Sequence, residues 1–225
     1  MVPEVVASHS SRRVLTLTWY PTLRLDDPSA LARVPKDEVL ATVARAYARQ
    51  IFVDGLFHAD PHTGNLFVID EPRAAVEPRV LFVDFGLCQR LSPELRRELR
   101  LGIHALLQGR TDDFLAGMHR MGMIGPGHED DVRAAVEPMM ARLRGRGSGA
   151  LALSSNRVLR LKEEAKTLLY ETPGLALPNE LLLYAKTLSY LFALGAEVAP
   201  EVDLMKLTVP YLLRFLAEKD APIQP

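Results

Sequence analysis

His58-Ala59-Asp60-Pro61-His62-Thr63-Gly64-Asn65, then Leu66-Phe67-Val68-Ile69, a polar loop and Val80-Leu81-Phe82-Val83-Asp84-Phe85-Gly86, decides how the rest of the chain is arranged. The two short apolar runs are joined by 70–79, which carries Pro72 and Pro78, and predict a β-hairpin with a long connection. Pairing them brings Asn65 and Asp84 to the same end of the hairpin. An aspartate, an asparagine five residues on, a hairpin and then Asp-Phe-Gly is a phosphoryl-transfer arrangement. The physical requirement is charge neutralisation. A transferred phosphoryl group is strongly negative, and Mg²⁺ takes hard oxygen ligands, with few from protein and the rest from phosphate and water. Asp84 offers a carboxylate and Asn65 an amide oxygen, while Asp60 stays free to orient an attacking hydroxyl and accept its proton. Gly86 is expected to let the backbone turn sharply after the strand. Asp-Phe-Gly alone is a weak signal; the combination is specific.

A competing reading uses the same loop. His58, Asp60 and His62 alternate along the chain, and two imidazoles with a carboxylate suit Zn²⁺. Pro61 between them and Asn65 after them favour the phosphoryl-transfer loop.

Outward from the stretch, helical periodicity dominates. Leu40, Val43, Ala44, Tyr47 and Ile51 make one apolar stripe over 36–52, and Gly55 ends it. Ser92-Pro93-Glu94 is a capped helix start, with Leu95, Leu99, Ile103, Leu106 and Leu107 as its buried face. Further helices are predicted over 112–121, 129–143, 157–170, 179–197 and 203–218, and an exposed loop over 144–149. The helix over 179–197 is apolar almost all round, so it should be a buried central helix or a lipid contact; Lys186 interrupts its apolar run. At the other end, 13–20 alternates like a strand, Pro21 stops it, and Asp26-Asp27-Pro28-Ser29 is a turn. Trp19 and Phe85 are expected in the core, Cys88 as a buried small hydrophobe, and Met118, Met121 and Met123 as gap-fillers.

Composition narrows the function classes. With 225 residues, 48% of them hydrophobic, the chain can bury a sizeable core in one or two domains. A net charge of −1 gives no electrostatic argument for nucleic acid or an anionic membrane. A single cysteine excludes an internal disulfide framework and points to a reducing compartment. No basic region followed by an apolar core opens the sequence, and no uninterrupted apolar run reaches a membrane span, so a cytoplasmic location is expected.

At residues 58–65 and 84–86 the chain resembles the ABC1/UbiB/AarF (ADCK) group of atypical kinase-like proteins. Val2-Pro3-Glu4-Val5-Val6 and Arg13-Val14-Leu15-Thr16 are similar to that family's strands leading into the interlobe hinge. Leu177-Pro178-Asn179-Glu180-Leu181-Leu182, through Leu188, is similar to its late helix. The resemblance implies an α+β, mainly α-helical, protein-kinase-like carboxyl lobe, with residues 1–25 as hinge-proximal strands and 26–225 as one helical domain. It implies Mg²⁺ and ATP as cofactors, Asp60 in the catalytic-loop aspartate role, and Asn65 and Asp84 as metal and nucleotide-phosphate ligands. It also implies a link to isoprenoid-quinone or lipid metabolism, with a lipid or quinone-pathway protein as partner and peripheral contact at the inner face of a membrane.

The departures concern nucleotide binding. Thr63 stands where the family has proline, and Thr18 and Thr22 stand at hinge positions it fills with glutamate and glycine. No Gly-rich or Ala-rich loop, Val-Ala-x-Lys strand or Lys-x-Gly-Gln segment precedes the hinge, so an amino-terminal lobe is expected to be largely missing. Weak Mg-nucleotide binding and negligible turnover by this chain alone follow. The alternatives are a catalytically silent kinase-like binding module and a small-molecule phosphotransferase, which commonly carries Ile-Asp-Trp in place of Asp84-Phe85-Gly86.

Overall fold

The computed structural model describes residues 1–144 and 155–218, so the loop expected over 144–149 lies outside the described residues except for Arg144. The first helices form where the apolar stripe predicts. After β1 (Thr22–Arg24) and a single turn α1 (Pro28–Leu31), α2 (Lys36–Ala48) buries Val39, Leu40, Val43, Ala44 and Tyr47 on one face. It continues as a wider π turn over Arg49–Asp54, which Gly55 ends in the left-handed region at φ 65°. A side chain at Gly55 would also press on the Arg96 guanidinium at 3.0 Å, so both backbone and space require glycine.

The hairpin is antiparallel, as its apolar runs require. β3 (Leu66–Ile69) pairs with β4 (Val80–Phe82) in the register Leu66↔Phe82, and a 3-10 turn over Pro72–Ala75 occupies the connection. β1 adds to the other edge of β3, giving the order β1-β3-β4. Leu66, Val68, Val80 and Phe82 face α2 and join Leu194 and Leu204 in the largest core cluster. Burying Leu66 and Val68 completely contributes about 1.5–3 kcal/mol each.

Three local expectations are corrected: the strand over 13–20, the packed Trp19 and the buried Cys88. Residues 13–20 form no strand: the pairings there are the isolated bridges Val5↔Leu17 and Ser11↔Val14. Lacking a sheet to join, the alternating segment keeps its side chains in solvent, and Trp19 is 81% exposed instead of packed. A second sheet also forms that periodicity does not announce. β2 (Leu56–His58) pairs antiparallel with β5 (Cys88–Arg90), His58 opposite Cys88. Cys88 is therefore exposed on an edge, not a buried hydrophobe. Partial desolvation pushes its thiol above the ordinary range, away from thiolate reactivity.

Helices complete the fold. α3 (Pro93–Gln108) starts at Ser92, whose hydroxyl accepts the Leu95 N–H at 3.1 Å. α4 (Thr111–Arg120) and α5 (Glu129–Arg144) pack through Leu115, Met118, Val132, Val136 and Met140, with Met123 partly buried beside them. α6 (Ser155–Glu171), α7 (Asn179–Val198) and α8 (Leu204–Ala217) follow. α7 is long and apolar enough to cross a membrane by length and composition, with a hydropathy of 1.3. It packs Leu191, Leu194 and Val198 into the main core, yet only 39% of its most apolar window is buried, so it is less enclosed than a central helix.

Arg96 of α3 clamps these layers. It donates to the carbonyls of Ile51 and Phe52 at 3.0 Å, where the π turn leaves them free. It also pairs with Glu218 at 3.1 Å and lies 5.1 Å over the Phe215 ring. Arg96→Ala is expected to cost about 2–3 kcal/mol and lower the melting temperature by roughly 5–10 °C, read by calorimetry. A shift below ~2 °C would show the clamp to be incidental.

Candidate functional site

The site lies where the two sheets meet. β2 ends at His58 and runs into the 59–65 loop; β4 ends at Phe82 and runs through Asp84 into β5. The β2–β5 sheet therefore joins the arm entering the loop to the arm leaving Gly86, and the β3–β4 pair joins the arm leaving the loop to the arm entering Asp84. The Ala59 N–H donates to the Leu87 carbonyl at 2.8 Å, and the Val83 N–H donates to the Asn65 carbonyl at 3.0 Å.

His58 knots the two arms together. It is buried, its Nδ1 accepts the Asp60 backbone N–H at 3.3 Å, and its Nε2 lies 3.0 Å from the Val83 carbonyl and 2.9 Å from the Asp84 carbonyl. An acceptor at Nδ1 and two carbonyls at Nε2 assign the proton to Nε2. With both nitrogens engaged, His58 is no zinc ligand, and no group of three His, Cys, Asp or Glu residues among the described residues is placed to hold a metal. The zinc reading is corrected on that ground.

Asp60 and Asn65 meet directly. The buried Asn65 amide donates from Nδ2 to the Asp60 carbonyl at 3.0 Å and to Asp60 Oδ2 at 3.1 Å. One side chain thus holds the aspartate and keeps its own Oδ1 for another partner. His62 Nε2 stands 3.6 Å from Asp60 Oδ2, while its Nδ1 accepts the Gly64 N–H at 2.9 Å. Asp60 keeps 28% of its side chain exposed, enough to meet an incoming hydroxyl.

Asp84 carries the one left-handed backbone outside glycine among the described residues, at φ 58°. Its Oδ1 accepts the Gly86 N–H at 3.2 Å, closing an Asx turn, and the carboxylate is exposed. The sharp turn therefore falls on Asp84 and not on Gly86. At Gly86 a Cβ would sit 3.1 Å from Asp84 Oδ1, a close contact that a shift of the exposed carboxylate by a few tenths of an ångström would relieve. Phe85 is half-exposed with its ring edge-on to His58 at 5.5 Å, packing beside the knot instead of beneath the hairpin.

One residue escapes sequence reasoning. Lys186, from the middle of α7, places Nζ 3.8 Å from Asp60 Oδ1. Its only signal in the sequence is a lone charge in an apolar run.

Asn65 and Asp84 sit at one end of the hairpin, across a pair of strands whose register is Leu66↔Phe82. An amide oxygen and a carboxylate with no thiolate or free imidazole are a hard-oxygen donor set, which fits Mg²⁺ completed by phosphate oxygens and water.

Comparisons with known proteins bear on the family and the fold. Residues 1–115 match the ABC1 atypical kinase-like domain. A probable protein kinase UbiB of Xanthomonas campestris pv. campestris (strain B100) is 30% identical over 225 residues, covering 98% of this chain and 39% of that protein. A probable protein kinase UbiB of Xylella fastidiosa (strain M12) is 29% identical over 229 residues, covering 98% of this chain and 40% of that protein. The chain thus spans about two fifths of the length of these relatives. Among solved structures, Mycobacterium tuberculosis Rv3197, in complex with erythromycin, superposes with a TM-score of 0.51 at 19% identity, covering 88% of this chain and 51% of that one. At that identity the likeness speaks for the fold: α+β, mainly helical and kinase-like.

Proposed function

This chain belongs to the ABC1 atypical kinase-like family, and from that premise we propose that it is a Mg-nucleotide-binding, phosphoryl-transfer domain of the ABC1/UbiB type. The observation that carries the reading is the junction at Asn65. Its side chain holds Asp60 while its backbone carbonyl holds the strand that leads into Asp84. A base and a metal-binding carboxylate are thereby built on one support.

The roles follow from the chemistry of each group. Asn65 Oδ1 and the Asp84 carboxylate would hold Mg²⁺, which would supply neutralisation of the phosphate charge. Asp60 accepts the proton of the acceptor hydroxyl as that oxygen bonds to the terminal phosphorus. The bond from phosphorus to its bridging oxygen breaks, the electron pair leaves with the nucleoside diphosphate, and Asp60 returns its proton to solvent. His58 acts through Asp60 and Asp84 as a positioning residue.

In this proposal residues 26–225 are the carboxyl lobe and 1–25 its hinge-side edge. The link to isoprenoid-quinone or other lipid metabolism, with peripheral membrane contact, belongs to the same proposal. It is supported by a cavity of about 440 Å³ between α2, α3, α7 and α8, lined by apolar side chains such as Val43, Phe52, Leu188, Phe192 and Leu212.

Titration calorimetry of ATP with MgCl₂ into the chain tests the reading. The expected result is weak, saturable binding that EDTA removes. Asp60→Asn is expected to retain that binding and to lose whatever hydrolysis is measurable. No heat at ~1 mM nucleotide, an affinity weaker than about −4 kcal/mol, would favour the silent-module alternative.

A further inference from the structure

Asp60 is held from three sides: by Asn65 Nδ2 at 3.1 Å, His62 Nε2 at 3.6 Å and Lys186 Nζ at 3.8 Å. The first two come from the 59–65 loop itself. Lys186 arrives from a helix far along the chain, and it faces Oδ1, the oxygen that neither Asn65 nor His62 takes.

Stability does not account for this lysine. Its side chain is 42% exposed and that of Asp60 28%, and so open an ion pair contributes little to folding. Leu182, Lys186 and Tyr190 follow one another at helical spacing along an open stripe of α7, in which Lys186 is the sole charge. Tyr190, one turn on, places its ring 5.5 Å under Nζ and holds the ammonium toward the loop. The neighbouring Thr187 is wholly buried, its hydroxyl donating within the helix to the Leu183 carbonyl at 2.9 Å, so the buried face of α7 lies beside Lys186 and not under it.

An aspartate that accepts a hydroxyl proton must stand within hydrogen-bond reach of that hydroxyl, whose oxygen attacks the terminal phosphorus. A cation beside Oδ1 is therefore a side-chain rotation away from the phosphoryl oxygens. Lysine suits the task as a compact charge on a flexible stem. We propose that Lys186 is a phosphate-binding residue of this site, supplied by α7, which exchanges the Asp60 carboxylate for the terminal phosphate of a bound nucleoside triphosphate. The exchange neutralises charge on the transferred group and frees Asp60 Oδ1 to accept the proton. The inference rests on the phosphoryl-transfer reading and adds to it a ligand selectivity: triphosphate over diphosphate.

The test compares Mg-ATP with Mg-ADP by titration calorimetry on the wild type, Lys186→Met and Lys186→Arg, alongside thermal melting without nucleotide. The wild type is expected to prefer ATP. Lys186→Met should weaken ATP by about tenfold, leave ADP within about twofold and melt as the wild type does, because one charge-assisted contact is lost. Lys186→Arg should keep most of the preference. Equal losses for both nucleotides, or an unchanged ATP-to-ADP ratio in Lys186→Met, overturns the role of Lys186 and leaves the phosphoryl-transfer reading standing. If the wild type binds neither nucleotide, that reading falls and this inference with it.

Discussion

Replacing Asp84 by glycine is expected to abolish Mg-dependent nucleotide binding without weakening the fold, and replacing it by alanine to damage both. The difference lies in the backbone. Asp84 sits at φ 58°, where an ordinary side chain costs about 1 kcal/mol and glycine costs nothing. Aspartate tolerates the position because its Oδ1 accepts the Gly86 N–H at 3.2 Å. Glycine forfeits that exposed bond but relieves the strain, so its melting temperature should stay near the wild type. Alanine forfeits the bond and keeps the strain, and should be less stable than the glycine variant by about 1 kcal/mol, or roughly 2–4 °C. Asparagine keeps the turn and removes the charge. It isolates the electrostatic part and should bind Mg-nucleotide at least ~10-fold more weakly, a loss of about 1.4 kcal/mol or more. Thermal melts with calorimetric titrations of all three variants check this. Retained Mg-dependent affinity in Asp84→Gly would sink the metal role; a glycine variant less stable than the alanine variant would sink the strain argument.

That strain was not legible in the sequence, whereas much around it was. The stripe Leu40–Val43–Tyr47 forms α2, and Leu66–Ile69 pairs with Val80–Phe82, because each pattern is local and its period is strong. The approach of Asn65 to the Asp84 end of the hairpin followed from the same pairing. The β2–β5 sheet escaped notice because its strands are three residues each and mixed in polarity, so their pairing depends on the chain closing around the site. The alternation over 13–20 misled for the opposite reason: strand propensity expresses itself only against a partner strand, and Leu15 and Trp19 remain in solvent. Lys186 reaches Asp60 across the fold, and no period or spacing encodes such a contact. The polar residues of the site were thus identifiable by type and order, while the bonds that orient them, at His58 above all, depend on tertiary closure.

His58→Ala is expected to be the most destabilising change in the site and to disable it at two points. The ring is 2% exposed, lies 6.4 Å from the Phe82 ring and 5.5 Å from that of Phe85, and bridges the Asp60 amide to the Val83 and Asp84 carbonyls. Truncation removes buried volume and leaves an amide and carbonyls without their partner, together about 2–4 kcal/mol. The melting temperature should fall by roughly 5–12 °C. Because the same ring positions both Asp60 and Asp84, Mg-nucleotide affinity should drop even at a temperature where the variant is fully folded. His58→Gln separates the two effects. An amide can donate to one carbonyl and accept the Asp60 N–H in a similar span, so it should recover part of the affinity while remaining less stable than the wild type. Hydrogen exchange localises the consequence. The Ala59 and Val83 amides, which bond to Leu87 and Asn65 across the two arms, should lose protection in His58→Ala, while those of α4 and α5 do not. A variant whose affinity falls only in proportion to its unfolded fraction would show His58 to be structural filling. A folded variant with weakened affinity and local loss of protection at Ala59 and Val83 shows that His58 holds the two arms of the site in register.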